Sequence, residues 1–290
     1  MENEIEKIGR EDARFPESLR AMKSGPKVLY CRGILPQSGE KMFAIVGSRL
    51  CSDYGRRAAS EIAQGLVEAG CTIVSGLAPG IDTIGHTIAV ENGKRTIAVL
   101  GTGLDPKSLY PQINLDLSQE IVKNGGCLLS EYPAGTRGAR FTFPQRNRIV
   151  AGLVQGVAVI EAKVKSGSLG TVLWAKKLGK PVFAVPGSIY SLNSGGCNEL
   201  IRQGATLVRN ADDILVALGH EPQTVQKTIF TGANPEESAI LEALSGEALE
   251  TDKIVNSTGL TAATVLSTLT VLEIKGSIKS IGGMKFFRCK

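Results

Sequence analysis

The sequence holds few of the residues on which most enzymes depend. There are two histidines and one tryptophan in 290 residues, and aromatics make up 5%. No GxxxxGK[ST] occurs, which excludes a P-loop for triphosphate hydrolysis. No GxSxG elbow and no zinc-ligand spacing occur either, so neither a serine hydrolase nor a metal centre is expected. The six cysteines (Cys31, Cys51, Cys71, Cys127, Cys197 and Cys289) are scattered without CxxC spacing and are expected to be reduced. No apolar run reaches the length of a membrane span, and the charged start MENEIEKIGREDARF is not a signal peptide. These absences together predict a cytoplasmic protein without membrane contact. Of the two histidines, His86 falls inside a predicted helix, where a structural or solvated role is the simpler expectation.

What is present is ordinary soluble composition, 42% hydrophobic and 21% charged, with a net charge of +5. That charge permits a polyanionic partner without requiring one. The stretch over residues 43–82 organises the rest. An apolar run at 43–46 breaks at Gly47-Ser48-Arg49, and an amphipathic segment follows with Ala59, Ile62, Ala63, Leu66 and Val67 on one face. A second apolar run, 71–74, ends in Ser75-Gly76-Leu77-Ala78-Pro79-Gly80. Strand, glycine turn, helix, strand, glycine turn is a βαβ unit. Helix N-termini facing such loops favour phosphate, although glycine and serine also simply make tight turns.

The alternation continues with strands predicted at 96–100, 127–129, 157–160, 181–185 and 205–208, and helices at 82–92, 115–123 and 172–177. Residues up to 41 are expected to be an irregular lead-in packing on this domain through Val28, Leu29 and Tyr30. Almost every strand ends in glycine, serine or a polar cluster, so polar chemistry converges on one edge of a parallel sheet covered on both faces. The expected fold is α/β, an extended Rossmann-like, doubly wound and mainly parallel sheet over 42–219. A polar linker at 220–234 leads to three short helices and a glycine-tipped hairpin over 235–290, the pattern of a small winged helix.

The loop GTRGARFTFPQRNR carries Arg137, Arg140, Arg146 and Arg148 with Phe141 and Phe143 among them and no acid. Arginines bind phosphates and aromatic rings stack on unpaired bases, each stack worth about 1–3 kcal/mol. With Arg49 and Lys165 at neighbouring strand ends, a basic track along the carboxyl edge is one reading. Core packing of a phenylalanine and pairing of the arginines with distant acids is the other. SGSLGT, at residues 166–171, suits a phosphate whether free or in a polymer. Asp82, Asp105 and Glu131 lie near strand ends, where they can act together or simply accept from free N–H groups.

Assembled, these segments resemble the DNA-processing protein A family (DprA, also called Smf). AIVGSR (44–49), SDYG (52–55), IVSGLAPGID (73–82), IAVLGTGLD (97–105), SEYPAG (130–135), FPQRNRIVAGL (143–153), EAKVKSGSLGT (161–171), FAVPG (183–187) and NSGGCNELIRQGA (193–205) carry the likeness. The resemblance implies binding of single-stranded DNA, delivery of that DNA to the recombinase RecA during natural transformation, and self-association through the Rossmann domain. It implies no catalysis, and no cofactor is expected. Carried over by position, the site comprises Gly47, Ser48, Arg49, Arg146, Asn147, Arg148, Ser166, Gly167, Ser168 and Asn198, beside Arg140 and Lys165 from the basic track. Phe141 or Phe143 is the stacking candidate, with no choice between them. The short lead-in leaves no room for the small helical N-terminal domain of many relatives. From residue 235 onward seven acids face six bases, and residues 260–274, in the position of a recognition helix, hold no lysine or arginine. A protein contact is therefore favoured there over groove reading. A nucleotide-processing enzyme like the LOG phosphoribohydrolases is the alternative. Those carry PGGxGTxxE, whereas SGSLGTVLW here has no acid after Thr171.

Overall fold

The computed structural model describes residues 4–219, 234–244, 248–280 and 283–288. Two units result, Met1–Gln223 and Thr224–Lys290. Most of the linker expected at 220–234 lies outside the described residues.

The first unit opens with β1 (Glu6–Gly9), the short helix α1 (Glu17–Arg20) and β2 (Val28–Gly33). This corrects the expectation of an irregular lead-in. β1 and β2 pair antiparallel, and β2 pairs antiparallel with a strand of the main sheet, placing Tyr30 opposite Ser130. In EKIG only Ile8 is buried. No alternating pattern announces that strand, and its partner across the sheet makes it one.

The parallel strands were legible as short, mainly apolar runs, buried on both faces in all but the last. They are β3 (Met42–Val46), β4 (Thr72–Ser75), β5 (Thr96–Leu100), β6 (Cys127–Ser130), β7 (Val157–Val159), β8 (Val182–Ala184) and β9 (Thr206–Leu207). Between them run α2 (Asp53–Glu68), α3 (Ile81–Glu91), α4 (Leu115–Lys123), α5 (Thr142–Leu153), α6 (Leu169–Lys177), α7 (Gly195–Arg202) and α8 (Ala211–Ala217). The helix predicted at 172–177 thus begins three residues earlier, and Phe143 to Arg148 lie in α5 rather than in a loop. Strand order is β1-β2-β6-β5-β4-β3-β7-β8-β9. Alternate residues of β3 face opposite layers. Ala44 and Val46 pack with Ile149, Val172 and Leu200, whereas Phe43 and Ile45 pack with Ala59, Ile62 and Ile214. Successive connections leave β3 in one direction up to β6 and return on its other side at β7. The crevice outside the carboxyl ends of β3 and β7 is the topological switch point, where open α/β sheets hold ligands.

The second unit comprises α9 (Pro235–Ala243), β10 (Leu249–Glu250), α10 (Thr251–Thr258), α11 (Ala262–Ile274), β11 (Ile278–Ser280) and β12 (Lys285–Arg288). Asn234 and Thr261 cap α9 and α11 through their side chains. Ile240, Leu241, Ile254, Val265, Leu269 and Leu272 form its core, and the strands pair in the order β10-β12-β11. This is a winged helix. Among the described residues, no single helix is long and apolar enough to cross a membrane.

Candidate functional site

The switch point opens into a cleft of about 990 Å³. β3 delivers Gly47, Ser48 and Arg49 to its rim. Ser48 donates its N–H to the Glu161 carbonyl at the end of β7 (2.7 Å), and its own carbonyl accepts from Ile81 at the start of α3 (3.2 Å). The loop is therefore tied to both neighbours, with the Arg49 side chain left exposed.

The two anion-friendly helix ends of the βαβ unit are already filled by the protein's own carboxylates. Glu161 is 1% exposed. Its Oε2 accepts the Ser52 N–H (2.8 Å) and its Oε1 the Ser52 hydroxyl (2.5 Å), while Ser52 Oγ caps α2 by accepting from Gly55 (3.1 Å). A side chain at Gly55 would run into this carboxylate, so the glycine makes room for it. At α3, Asp82 accepts from the backbone N–H groups of Gly76 (3.0 Å) and Ala78 (3.4 Å). The expectation that these loops await a phosphate is corrected on this point. A buried carboxylate already neutralises the positive end of each helix.

Asp82 has a cation beneath it. Arg146, 6% exposed, donates through Nη1 to the carbonyls of Gly76 and Val99. Burial pulls its guanidinium down to about 10, with Asp82 opposing the shift, so it stays charged at neutral pH. Burial pushes the Asp82 carboxyl up, against the pull of Arg146. Any side chain at Gly76 would overlap the guanidinium. His86, fully buried, bonds through Nδ1 to Thr96 Oγ1 (2.8 Å), and burial followed by repulsion from Arg146 drives its ring down to about 3. It is a neutral core residue.

The phase of α5 sorts the remaining candidates. Phe143, Arg146, Asn147 and Val150 face the cleft at helical spacing. Arg148 points elsewhere and pairs with Glu131 (2.7 Å), both groups largely buried. The Phe143 ring lies 5.6 Å from that of Tyr110, with the Arg49 guanidinium 5.8 Å from its centroid. Phe141 is 69% exposed and lies outside the cleft. Asn198 is occupied elsewhere, its amide clamping both the N–H (3.1 Å) and the carbonyl (2.9 Å) of Gly187. Asp105 accepts from Gly135 (2.7 Å) and from Ser108, bonds that hold its carboxyl below its ordinary range. All three strand-end acids thus serve local hydrogen bonds or ion pairs.

On the opposite wall, Ser166, Gly167 and Ser168 lead into α6, whose first turn carries neither an acid nor a side-chain cap. Asn147 donates to the Gly167 carbonyl (3.3 Å), and Lys165 stands exposed beside it. Thus Gly47, Ser48, Arg49, Arg140, Phe143, Arg146, Asn147, Lys165, Ser166, Gly167 and Ser168 share one cleft, whereas Phe141, Arg148 and Asn198 do not line it. Sequence reasoning missed Lys107, Tyr110 and Lys163 and left Arg137 out of the site, although all four line the cleft. Lys163 alone had a signal, two residues from Lys165 on the same strand-end loop. The cleft walls therefore carry seven Lys or Arg side chains (Arg49, Lys107, Arg137, Arg140, Arg146, Lys163 and Lys165) against one acid, Asp82.

Known proteins resemble this chain in sequence and in fold. The family model "DNA recombination-mediator protein A" matches residues 6–219, and the "DprA winged helix domain" matches 231–284. The chain is 46% identical over 204 residues to the DNA processing protein DprA of Streptococcus pneumoniae, covering 70% of this chain and 71% of that one. It is 35% identical to Protein Smf of Escherichia coli, covering 93% and 74%. Among solved structures, DprA of S. pneumoniae superposes with a TM-score of 0.69 at 43% identity, covering 74% of this chain and 75% of that one. DNA processing protein A from Helicobacter pylori, described for its single-stranded DNA binding mode, gives 0.64 at 31% identity, covering 75% and 98%. The chain belongs to the DNA-processing protein A (DprA/Smf) family of recombination mediators.

Proposed function

We propose that the cleft at the switch point binds single-stranded DNA, and that the protein acts without catalysis as a mediator protecting incoming DNA and loading RecA in natural transformation. The observation that carries the binding is the cleft wall itself, six exposed cations around a half-buried phenylalanine, above the buried Arg146 and Asp82. Backbone phosphates would lie along Arg49, Lys163, Lys165 and the hydroxyls of Ser166 and Ser168, since the first N–H groups of α6 already donate to the carbonyls of Ser166, Gly167 and Ser168. Phe143, braced by Tyr110 and Arg49, would stack one base, which a duplex withholds. Arg146 belongs to the floor, where it fixes the Gly76 loop against Asp82, and is a positioning residue. The carboxylates at α2 and α3 count against a nucleotide enzyme of the LOG type, because the first helix end that would hold a nucleotide phosphate is occupied by Glu161. Hand-over to RecA and self-association through the Rossmann domain are supported by family membership. The winged helix is assigned to a protein contact, since α11 has no lysine or arginine and leaves Leu266, Val271 and Ile274 exposed.

The test is a titration of oligo-dT and its duplex counterpart against wild type and Arg49→Ala, across salt concentrations. Single strands should bind better, with log K falling linearly in log salt at about −0.7 per phosphate contacted. Arg49→Ala should cost about tenfold and flatten that slope, a charge-assisted bond being worth about 1.5 kcal/mol or more. Binding indifferent to strandedness and to Arg49 would refute the proposal.

A further inference from the structure

The loop over residues 186–194, between β8 and α7, is pinned by hydrogen bonds and yet turns large apolar side chains to water. Its base is held by the Asn198 clamp on Gly187 and by the Tyr54 hydroxyl donating to the Pro186 carbonyl (2.5 Å). Further along, Ser191 donates its N–H to Ser188 (3.0 Å) and Ser194 to Ser191 (3.1 Å). Ile189, Tyr190 and Leu192 nevertheless stand 83%, 92% and 82% exposed.

This loop adjoins the cleft. The Asn193 side chain donates to the carbonyl of Leu50 (3.2 Å), itself 83% exposed and part of the cleft rim. Val164, 62% exposed, reaches to the start of α7 beside Gly195 and lies between Lys163 and Lys165, which both line the cleft. Single exposed apolar residues are ordinary, but five on adjoining, internally bonded loops form a patch that calls for an occupant. Its cations, Arg49, Lys163 and Lys165, are interleaved with the apolar groups. That alternation matches a strand with phosphates on one edge and bases on the other, and a polymer leaving the cleft on this side must cross it.

We propose that a single strand seated in the cleft continues over Leu50 onto the 186–194 loop, where Tyr190 stacks an unpaired base. The assignment rests on the single-stranded DNA reading of the cleft. It gives Asn198 its task, as the positioning residue that holds the loop, and makes affinity depend on strand length.

Fluorescence anisotropy with labelled oligo-dT of about 4 and about 16 nucleotides tests it, using wild type, Tyr190→Ala, Tyr190→Phe and Arg49→Ala. Tyr190→Ala should bind the long strand about tenfold more weakly and the short strand as wild type does, whereas Tyr190→Phe should bind both normally. Equal affinity of wild type and Tyr190→Ala for the long strand would overturn the proposal. So would a loss accompanied by a change of oligomeric state in sedimentation, which would give the rim to a second copy. If Arg49→Ala leaves both strands bound while Tyr190→Ala weakens the long one, the cleft reading fails and the loop stands as the site.

Discussion

Replacing Glu161 by glutamine tests why the first glycine turn is not a phosphate site. The carboxylate accepts two hydrogen bonds from Ser52, at the positive end of α2, and is 1% exposed. Glutamine has the same shape but one oxygen, so its NH₂ must face either the Ser52 N–H or the Ser52 hydroxyl. Facing the hydroxyl, the NH₂ can use only the lone pair left by the Gly55 N–H, and the hydroxyl hydrogen then loses its acceptor. Exchanging a charged acceptor for a neutral one costs about 1 kcal/mol, and a donor left facing a donor in a buried site costs about 1–3 kcal/mol more. Loss of the anion from the helix end adds a few tenths to about 1 kcal/mol. A total near 3 kcal/mol should lower the melting temperature of a unit this size by about 6–12 °C in calorimetry or circular dichroism. In Glu161→Ala the pocket is vacated, and inorganic phosphate should raise the melting temperature more than it raises that of wild type, since the ion binds the folded form alone. A fall below about 2 °C for Glu161→Gln, with no differential response to phosphate for Glu161→Ala, would refute the view that Glu161 is the resident anion of this helix.

Two further outcomes are expected. Phe143→Leu should weaken binding of oligo-dT by about 1–3 kcal/mol while keeping most of the packing of the ring, whereas Phe141→Leu should change little, because that ring lies outside the cleft. Equal losses, measured by anisotropy, would remove Phe143 from its stacking role. For His86, the folded ring titrates at about 3 against an ordinary value of 6.5. Its contribution is complete above about 6.5 and is lost as pH falls toward 3, because only the unfolded chain takes up the proton, at up to about 1.4 kcal/mol per pH unit. Urea denaturation of His86→Leu should show a flatter stability profile over that window than wild type. Parallel profiles would refute the assignment of a buried, neutral imidazole.

Much of this protein was fixed by local pattern. Runs such as Thr96–Leu100 and Cys127–Ser130 read as strands because a parallel sheet buries both faces and leaves no solvent-facing position within the run. The convergence of glycine, serine and arginine on the carboxyl edge followed from the same alternation, and so did the grouping of Gly47, Arg49, Lys165 and Ser166. Tertiary structure decided what local pattern does not encode. β1 is a strand through its pairing with β2, not through EKIG. The RNR triplet divides because α5 turns through it. Asn147 faces the cleft, Arg146 passes beneath Gly76 to Asp82, and Arg148 meets Glu131, seventeen residues earlier in the chain. The α2 end is closed to phosphate by Glu161, which lies 109 residues beyond Ser52. An arginine or a helix end shows its charge in the sequence. Whether that charge is free for a ligand depends on which distant carboxylate folding brings within 3 Å of it.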